Sequence, residues 1–472
     1  MAGLQQYQKD FIDFLASKGA LWLGKPGEYR TLKRKSTSPY FIDTGSLDDG
    51  DGLRGLVVAY ASRASEIDAA RPFDALYGPP DKGTNLTPPV AVLLAMSSRN
   101  KRYLTYRSKF KETEKTPVKQ RFVGDIKDGD RVLLLDDVIT TGGAKYEAME
   151  QLSSVAKGLK FVDLIIAVDR QEIGTDGRTG AIKDFEGKTG INVNAIVTFG
   201  EMLPYLIEKG FVTPEQLKYI NAYMRTYCVE ALKGNCRDKR IIQRDKGLIP
   251  ACDASLERVK EVIKQTAYID AVTAYKFGFQ ALLGGLDRWV SEARELTDKP
   301  IIYDHQKAGN DIPDMGVKFA KIMAKAGVNA AILFPFTGHL TQSEWTKALY
   351  EEGIEPIVGA EMTHPNFKAS EGGYIPDEKL MEMYLRAACA GVNNFVVPGN
   401  KPAQVETYRT AIEAEVSGIK PTFYSPGFVK QGGKIEDAAK VAGPRWNAIA
   451  GRAIMEAPDI RAAALELATA LD

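Results

Sequence analysis

The strongest constraint on the fold is a rhythm in the second half of the chain. From residue 248 to residue 452 eight short apolar runs recur: "LIPACD", "AVTAYKFG", "PIIYDH", "NAAILFPF", "EPIVGAEMT", "NNFVVPG", "PTFYSPGF" and "WNAIAGR". Amphipathic stretches such as "SLERVKEVIKQTA" and "DEKLMEMYLRAACAG" separate them. A continuous apolar run reads as a strand buried on both faces, and strands alternating with helices build parallel sheet. Eight such units in about 225 residues are the count and length of a (β/α)8 TIM barrel. An open doubly wound sheet is the structural alternative.

In a barrel, chemistry gathers where strands end. Polar residues occupy those ends here: Asp253, Lys276, Asp304 with Lys307 and Asp311, Thr363, Asn400, Gln431 and Arg452. The third run is the densest. "IIYDHQKAGNDIP" sets one lysine between two aspartates where a buried strand meets solvent, and by itself it also reads as a salt-bridged strand end. "PGFVKQGG" and "IAGRAI" place a glycine-rich turn after the seventh run and a Gly-Arg after the eighth, the positions of a barrel phosphate site. Arg452 can grip phosphate with a planar fork.

The first half has another grammar. "RVLLLDDVITTGGAKYEAMEQLSSVA" reads as a buried strand, a tight loop and an amphipathic helix. "FDALYGPPDKGTNLTPPVAVLLA" reads as a strand, a Gly/Pro loop and a helix. Asp136 and Asp137 end the first of these strands, and Thr140, Thr141, Gly142 and Gly143 follow. Glycines let backbone N–H groups face inward, threonine hydroxyls add donors, and the helix presents its positive end, so the loop suits a phosphate monoester. Two carboxylates beside a phosphate need something else to face, such as ribose hydroxyls or Mg2+. The loop lacks the GK[ST] ending of a Walker A motif. A solvated turn is the bland alternative.

A length of 472 residues calls for two or three domains. The stretch "EALKGNCRDKRIIQRDKG" (230–247) is basic, broken by glycines and poor in large apolar residues. It reads as a joint, giving domains at 1–230 and 247–472 and a linker at 231–246. Lys+Arg of 62 against Asp+Glu of 61 leaves no global attraction for nucleic acid or an acidic membrane. Cys228, Cys236, Cys252 and Cys389 form neither a CxxC pair nor a zinc spacing, so a reducing cytoplasm is expected. Three histidines argue against a His-rich metal site. "MAGLQQYQKDFIDFLASKG" reads as an amphipathic helix and not a signal peptide, and no apolar run approaches the ~20 residues of a membrane span.

"DDVITTGG" resembles the PRPP-binding motif of type I phosphoribosyltransferases, most of all the orotate phosphoribosyltransferase version. The resemblance covers roughly residues 1–225 and implies an α/β domain of that type. It places Asp136 and Asp137 at the ribose hydroxyls and, through PRPP-bound Mg2+, at a metal. Residues 140–144 would hold the 5′-phosphate, with Ala144 where the family usually has serine. "TLKRKSTSPYFIDTG" is similar to the orotate-side segment and points to Lys33, Tyr40 and Phe41. "GPPDKGTNL" resembles the diphosphate loop, with Lys82 as its cation. "YRSKFKETEKTPVKQR" carries six Lys/Arg against two Glu and looks like the mobile lid. There Arg107, Lys109 and Lys111 would meet the leaving diphosphate, with Lys109 counted as catalytic. A solvated basic loop is the alternative.

The barrel as a whole resembles orotidine 5′-phosphate decarboxylase over about residues 246–472. That implies a charged network begun by Asp253 and Lys276 and continued by Asp304, Lys307 and Asp311. Thr363 stands where the family commonly has serine against the pyrimidine, and Gln431 and Arg452 would hold phosphate. The family's D-x-K-x-x-D motif is widened by one residue in each gap here, which needs a bulge or a wider turn. The chemistry implied is loss of CO2 from a pyrimidine carbon, with Lys307 stabilising and then protonating the carbanion, and no cofactor for that step. Transferase followed by decarboxylase resembles the fused UMP synthases, acting on orotate, PRPP and orotidine 5′-phosphate. Both families are usually dimers, so a homodimer or higher homo-oligomer is expected, with Asp311 acting across subunits. Two rivals stay open: a first domain that only senses PRPP, and a barrel lyase that uses Mg2+.

Overall fold

In the computed structural model the eight apolar runs all become strands, and they close on themselves. The structure describes residues 3–32, 36–80, 82–106, 122–139, 143–174, 179–229, 240–305, 308–416 and 418–471. It divides into two compact units at Ile220/Asn221. Among the described residues no helix is long and apolar enough to cross a membrane.

The second unit is a closed, eight-stranded parallel barrel. Its strands are Lys246–Cys252, Tyr275–Phe277, Ile301–Asp304, Ala330–Leu333, Glu355–Gly359, Asn394–Val396, Thr422–Ser425 and Trp446–Ala450. Side chains alternate between the two sides of a strand. Ile249, Ala251, Ala274, Ile302, Ile332, Ile357, Val396, Tyr424 and Ile449 form one cluster, which fills the barrel. Their neighbours Leu248, Tyr275, Phe277, Tyr303, Leu333, Phe395 and Trp446 belong to a second cluster with the surrounding helices. Being apolar on both sides is what made these runs continuous in the sequence. The helices between them carry one apolar face; Leu256–Thr266 buries Leu256, Val259, Val262, Ile263 and Thr266.

Ile241 and Ile242, inside the stretch expected to be a joint, pack against the inner cluster. Residues 231–239 of that stretch lie outside the described residues. Residues 221–229 also belong to the barrel unit. The Arg225 guanidinium stands 3.7 Å over the Tyr350 ring and donates to both carboxylate oxygens of Glu355, at 3.3 and 3.2 Å.

The first unit is an α/β domain around a six-stranded sheet. Its strand order is Asn192–Thr198, Lys160–Asp169, Arg131–Leu135, Ala75–Gly78, Arg102–Tyr106, Phe122–Gly124, and only the last pairing is antiparallel. The order reverses between Arg131–Leu135 and Ala75–Gly78, and ligands of open α/β sheets settle at such a switch point. Both loops read as phosphate-binding leave from these two strands. A Cβ on Gly78 would lie 2.0 Å from the Gly83 carbonyl oxygen, so only glycine lets the second loop turn this tightly into the helix Lys82–Met96.

Candidate active sites

At the C-terminal mouth of the barrel the alternation of side chains assembles the charges. Lys276 follows Ala274 by two residues and Asp304 follows Ile302 by two, so both share the inward parity of the core. Lys276 Nζ donates to Asp304 Oδ2 at 2.9 Å and lies 3.8 Å from Asp253 Oδ2. The side chains of Lys276 and Asp304 are each 9% exposed, while that of Asp253 is 51% exposed. Burial opposes the charge on Lys276, but the Asp304 and Asp253 carboxylates outweigh it and hold the ammonium above the usual lysine range. A buried lysine kept charged beside carboxylates is a fixed electrostatic array.

Lys307 lies outside the described residues. The widened spacing after it is taken up by a turn at 308–310. Gly309 adopts φ +87°, and its carbonyl accepts from Thr337 Oγ1 at 3.0 Å. Asn310 Oδ1 accepts from the Phe336 N–H at 2.9 Å, and the Ala308 carbonyl accepts from the Phe334 N–H at 2.9 Å. The turn is therefore anchored to the end of the fourth strand. Asp311 is exposed, and its carboxylate accepts its neighbour Ile312's N–H at 2.7 Å.

The fifth, sixth and seventh strand ends converge on Thr363. Its carbonyl accepts from Asn400 Nδ2 at 3.0 Å. A Cβ on Gly427 (φ +111°) would lie 3.0 Å from Thr363 Cγ2 and 3.1 Å from Asn400 Oδ1, so the glycine-rich turn presses directly on both residues. Gln431 closes the short turn Val429–Gln431, Arg452 opens the helix Arg452–Met455, and both are exposed.

In the first unit Asp136 is buried and paired with a residue that sequence reasoning missed. Lys145 Nζ lies 2.5 Å from Asp136 Oδ2 and donates to the Val138 carbonyl at 2.7 Å. Burial raises the Asp136 carboxyl above the usual range, and the Lys145 charge opposes that rise. Asp137 Oδ1 accepts from the Val138 N–H at 2.7 Å. The helix Gly143–Ser153 begins with Gly143 and Ala144, while Thr140, Thr141 and Gly142 lie outside the described residues. Lys33, Arg107, Lys109 and Lys111 also lie outside them, and Lys82 begins the helix Lys82–Met96. The cue for Lys145 was a cation in the first turn of the helix Gly143–Ser153.

Tyr40 is fully buried and stacks on Phe199 with centroids 3.8 Å apart and planes 4° apart. The Arg170 guanidinium lies 4.4 Å from the Tyr40 ring and donates to Glu172 and, at 3.0 Å, to Ser38 Oγ. Tyr40 is thus packed into the domain, and Phe41 beside it is half-buried, with the Arg30 guanidinium 5.3 Å from its ring. Arg170, at the end of "AVDRQE", was not singled out from the sequence, because an arginine after a strand has no local signature. Its neighbour Asp169 is pushed up to about 6, chiefly by burial.

Among the described residues no group of three or more His, Cys, Asp or Glu could by itself hold a metal ion. The carboxylates that follow the strand Arg131–Leu135 are Asp136 and Asp137.

Residues 247–467 match the family model of the orotidine 5′-phosphate decarboxylase / HUMPS family. Over 234 residues the chain is 36% identical to the orotate phosphoribosyltransferase of Lachnoclostridium phytofermentans, covering 48% of this chain and 100% of that protein. Over 224 residues it is 37% identical to the orotate phosphoribosyltransferase of Vibrio parahaemolyticus, covering 48% of this chain and 99% of that one. A crystal structure of orotate phosphoribosyltransferase from Francisella tularensis aligns with a TM-score of 0.40 and 28% identity, over 46% of this chain and 98% of the other. One of orotidine 5′-monophosphate decarboxylase from Methanocaldococcus jannaschii, in complex with the inhibitor BMP, aligns with a TM-score of 0.43 and 23% identity, over 48% of this chain and 100% of the other.

Proposed function

We propose that this chain, which belongs to the orotate phosphoribosyltransferase family and carries a second half of the orotidine 5′-phosphate decarboxylase family, performs two consecutive steps of pyrimidine synthesis. It is an enzyme with both activities on one polypeptide. Residues 1–230 join orotate to PRPP, releasing diphosphate. Residues 247–472 remove CO2 from the orotidine 5′-phosphate so formed, giving UMP. The observation that carries the second step is the buried Lys276–Asp304 pair, extended by Asp253, at the mouth of a closed barrel.

In the decarboxylase, shedding CO2 leaves negative charge on a ring carbon with no conventional electron sink. Lys307 is the proposed cation beside that carbon and the donor of the proton that replaces CO2. Asp304 and Asp311 orient it, and Lys276 keeps Asp304 anchored. An aspartate at ~4 Å from the substrate carboxylate repels it by roughly 4 kcal/mol at an effective dielectric near 20. That repulsion ends as CO2 departs. Thr363 faces the pyrimidine, while Gln431 and Arg452 grip the phosphate; their exposure fits a site open to solvent before substrate arrives.

In the transferase, Asp137 with Asp136 addresses the ribose hydroxyls. The helix beginning at Gly143 directs its positive end toward the 5′-phosphate. The planar Arg170, over Tyr40, and the ring of Phe41, on the other face of the strand Tyr40–Ile42, are the candidate contacts for a flat, anionic base. Asp136 and Asp137 would hold a Mg2+ only indirectly, through PRPP, and the ion would supply positive charge for the leaving diphosphate. Lys82, Arg107, Lys109 and Lys111 add positive charge for the same group. A homodimer in the cytoplasm, with Asp311 working across subunits, belongs to the same proposal.

Orotate, PRPP and Mg2+ incubated with the protein test both steps at once. Loss of orotate absorbance together with release of CO2 is expected. Orotate loss without CO2 would remove the decarboxylase, and CO2 release from added orotidine 5′-phosphate alone would leave the first domain a sensor.

A further inference from the structure

One buried carboxylate at the barrel mouth has no part in the chemistry above. Glu361, two residues before Thr363, has a side chain with 0% exposure. Burying a carboxylate is unfavourable unless its oxygens are fully engaged. Here Lys401 Nζ donates to Oε1 at 2.8 Å, Lys368 Nζ lies 3.5 Å from the same oxygen, and Tyr408 OH donates to Oε2 at 2.5 Å. The Glu361 N–H points to Tyr384 OH at 3.3 Å, and that hydroxyl donates to the Val396 carbonyl at 2.6 Å.

The partners come from two pieces of chain that frame Thr363. Lys368 lies further along the loop that follows the fifth strand, where it also meets Glu371 at 3.4 Å and Asp377 at 3.9 Å. Lys401 follows Asn400, the residue whose amide holds the Thr363 carbonyl. An apolar cluster of the same volume would stabilise a fold as well as buried ions do. What the ions add is direction: three donors fix one carboxylate, and the carboxylate fixes the path of the chain to Thr363.

Resting on the reading of Thr363 as a contact to the pyrimidine, we propose that Glu361 is a positioning residue. Through Lys401 and Lys368 it locks the loop after the fifth strand to the end of the sixth, so that Thr363 is already in place when orotidine 5′-phosphate binds. Without the lock the competent arrangement is one of several, and apparent affinity falls by the fraction that remains competent. Once substrate is bound the reacting groups are unchanged, so the effect falls on KM and spares kcat.

The test uses the full chain, with added orotidine 5′-phosphate as substrate and orotate consumption as an internal control on the other domain. Glu361→Gln and Lys401→Met should each raise KM roughly tenfold with kcat within about twofold, and Lys401→Arg should restore most of the loss. Glu361→Gln combined with Thr363→Ala should raise KM by less than the product of the two single effects. If Thr363→Ala raises KM and neither Glu361→Gln nor Lys401→Met does, the lock is wrong while Thr363 keeps its role. If Thr363→Ala leaves KM unchanged, the reading of Thr363 fails and the lock with it. Should Glu361→Gln fail to fold, Lys401→Met decides alone, because its side chain is 20% exposed and its loss buries no new charge beyond the one Lys368 still faces.

Discussion

Lys276 Nζ lies 2.9 Å from Asp304 Oδ2, an ion pair between the second and third strands of the barrel, with each side chain only 9% exposed. Removing one partner from a buried pair leaves the other charge uncompensated, at about 3–5 kcal/mol. Asp304→Asn should therefore lower the thermal midpoint of the barrel and reduce decarboxylation by about 10²–10³-fold, the usual effect of deleting one preorganised electrostatic group. Synthesis of orotidine 5′-phosphate should be unchanged. CO2 release and orotate consumption, measured on the same sample, separate the two.

Lys307→Ala should stop the chain at orotidine 5′-phosphate, which then accumulates. A positioned proton donor contributes about 10²–10⁴-fold, and a loss within that range is expected. UMP formed at the normal rate would place the donor elsewhere.

After the strand Arg131–Leu135, Asp137 and the buried Asp136–Lys145 pair should behave differently. Asp137→Asn should block use of PRPP while leaving decarboxylation of added orotidine 5′-phosphate intact. Lys145→Met should act first on stability, because it strands the buried Asp136, again at about 3–5 kcal/mol. Scanning calorimetry should show the transition of the first unit lowered and that of the barrel unmoved.

Asp169, pushed up to about 6 from 3.8 mainly by burial, gives a pH-dependent prediction. Its folded carboxyl holds a proton more tightly than the unfolded one. Stability from this group is therefore highest below the unfolded value and falls as pH rises to about 6, above which the fold carries a buried charge. Asp169→Asn, which keeps the acceptor for the Gln171 N–H, should stabilise the first unit at pH 7.5 by at most about 3 kcal/mol. The gain should vanish near pH 4. A gain that persists there would have another cause.

Chelation offers a separation of the two chemistries. Under the proposal that PRPP brings Mg2+ to the first unit, EDTA should halt formation of orotidine 5′-phosphate and leave its decarboxylation running. Loss of the second activity would favour a lyase dependent on Mg2+.

Much of this was legible in the chain because it is local. Strands buried on both sides of a barrel are apolar at most positions, so each of the eight runs stood out, and Lys276 and Asp304 stood out as polar residues near their ends. The strand and helix flanking DDVITTGG were legible for a similar reason, since Arg131–Leu135 and Gly143–Ser153 belong to one continuous stretch of chain. Arg170 stayed hidden because its partners, Tyr40 and Ser38, lie more than a hundred residues upstream. Ile241 and Ile242 were hidden by basic neighbours, although the barrel uses them as apolar filling.

The sequence by itself determined the order of elements, the parity that turns Lys276 and Asp304 inward and the residue types at each strand end, because spacing along a chain dictates which way a side chain points. Only the tertiary structure decided which charges meet. Whether Asp136 is answered by Lys145, or Glu361 by Lys401 and Tyr408, depends on distances of a few ångströms between separate segments, and burial makes those partners compulsory.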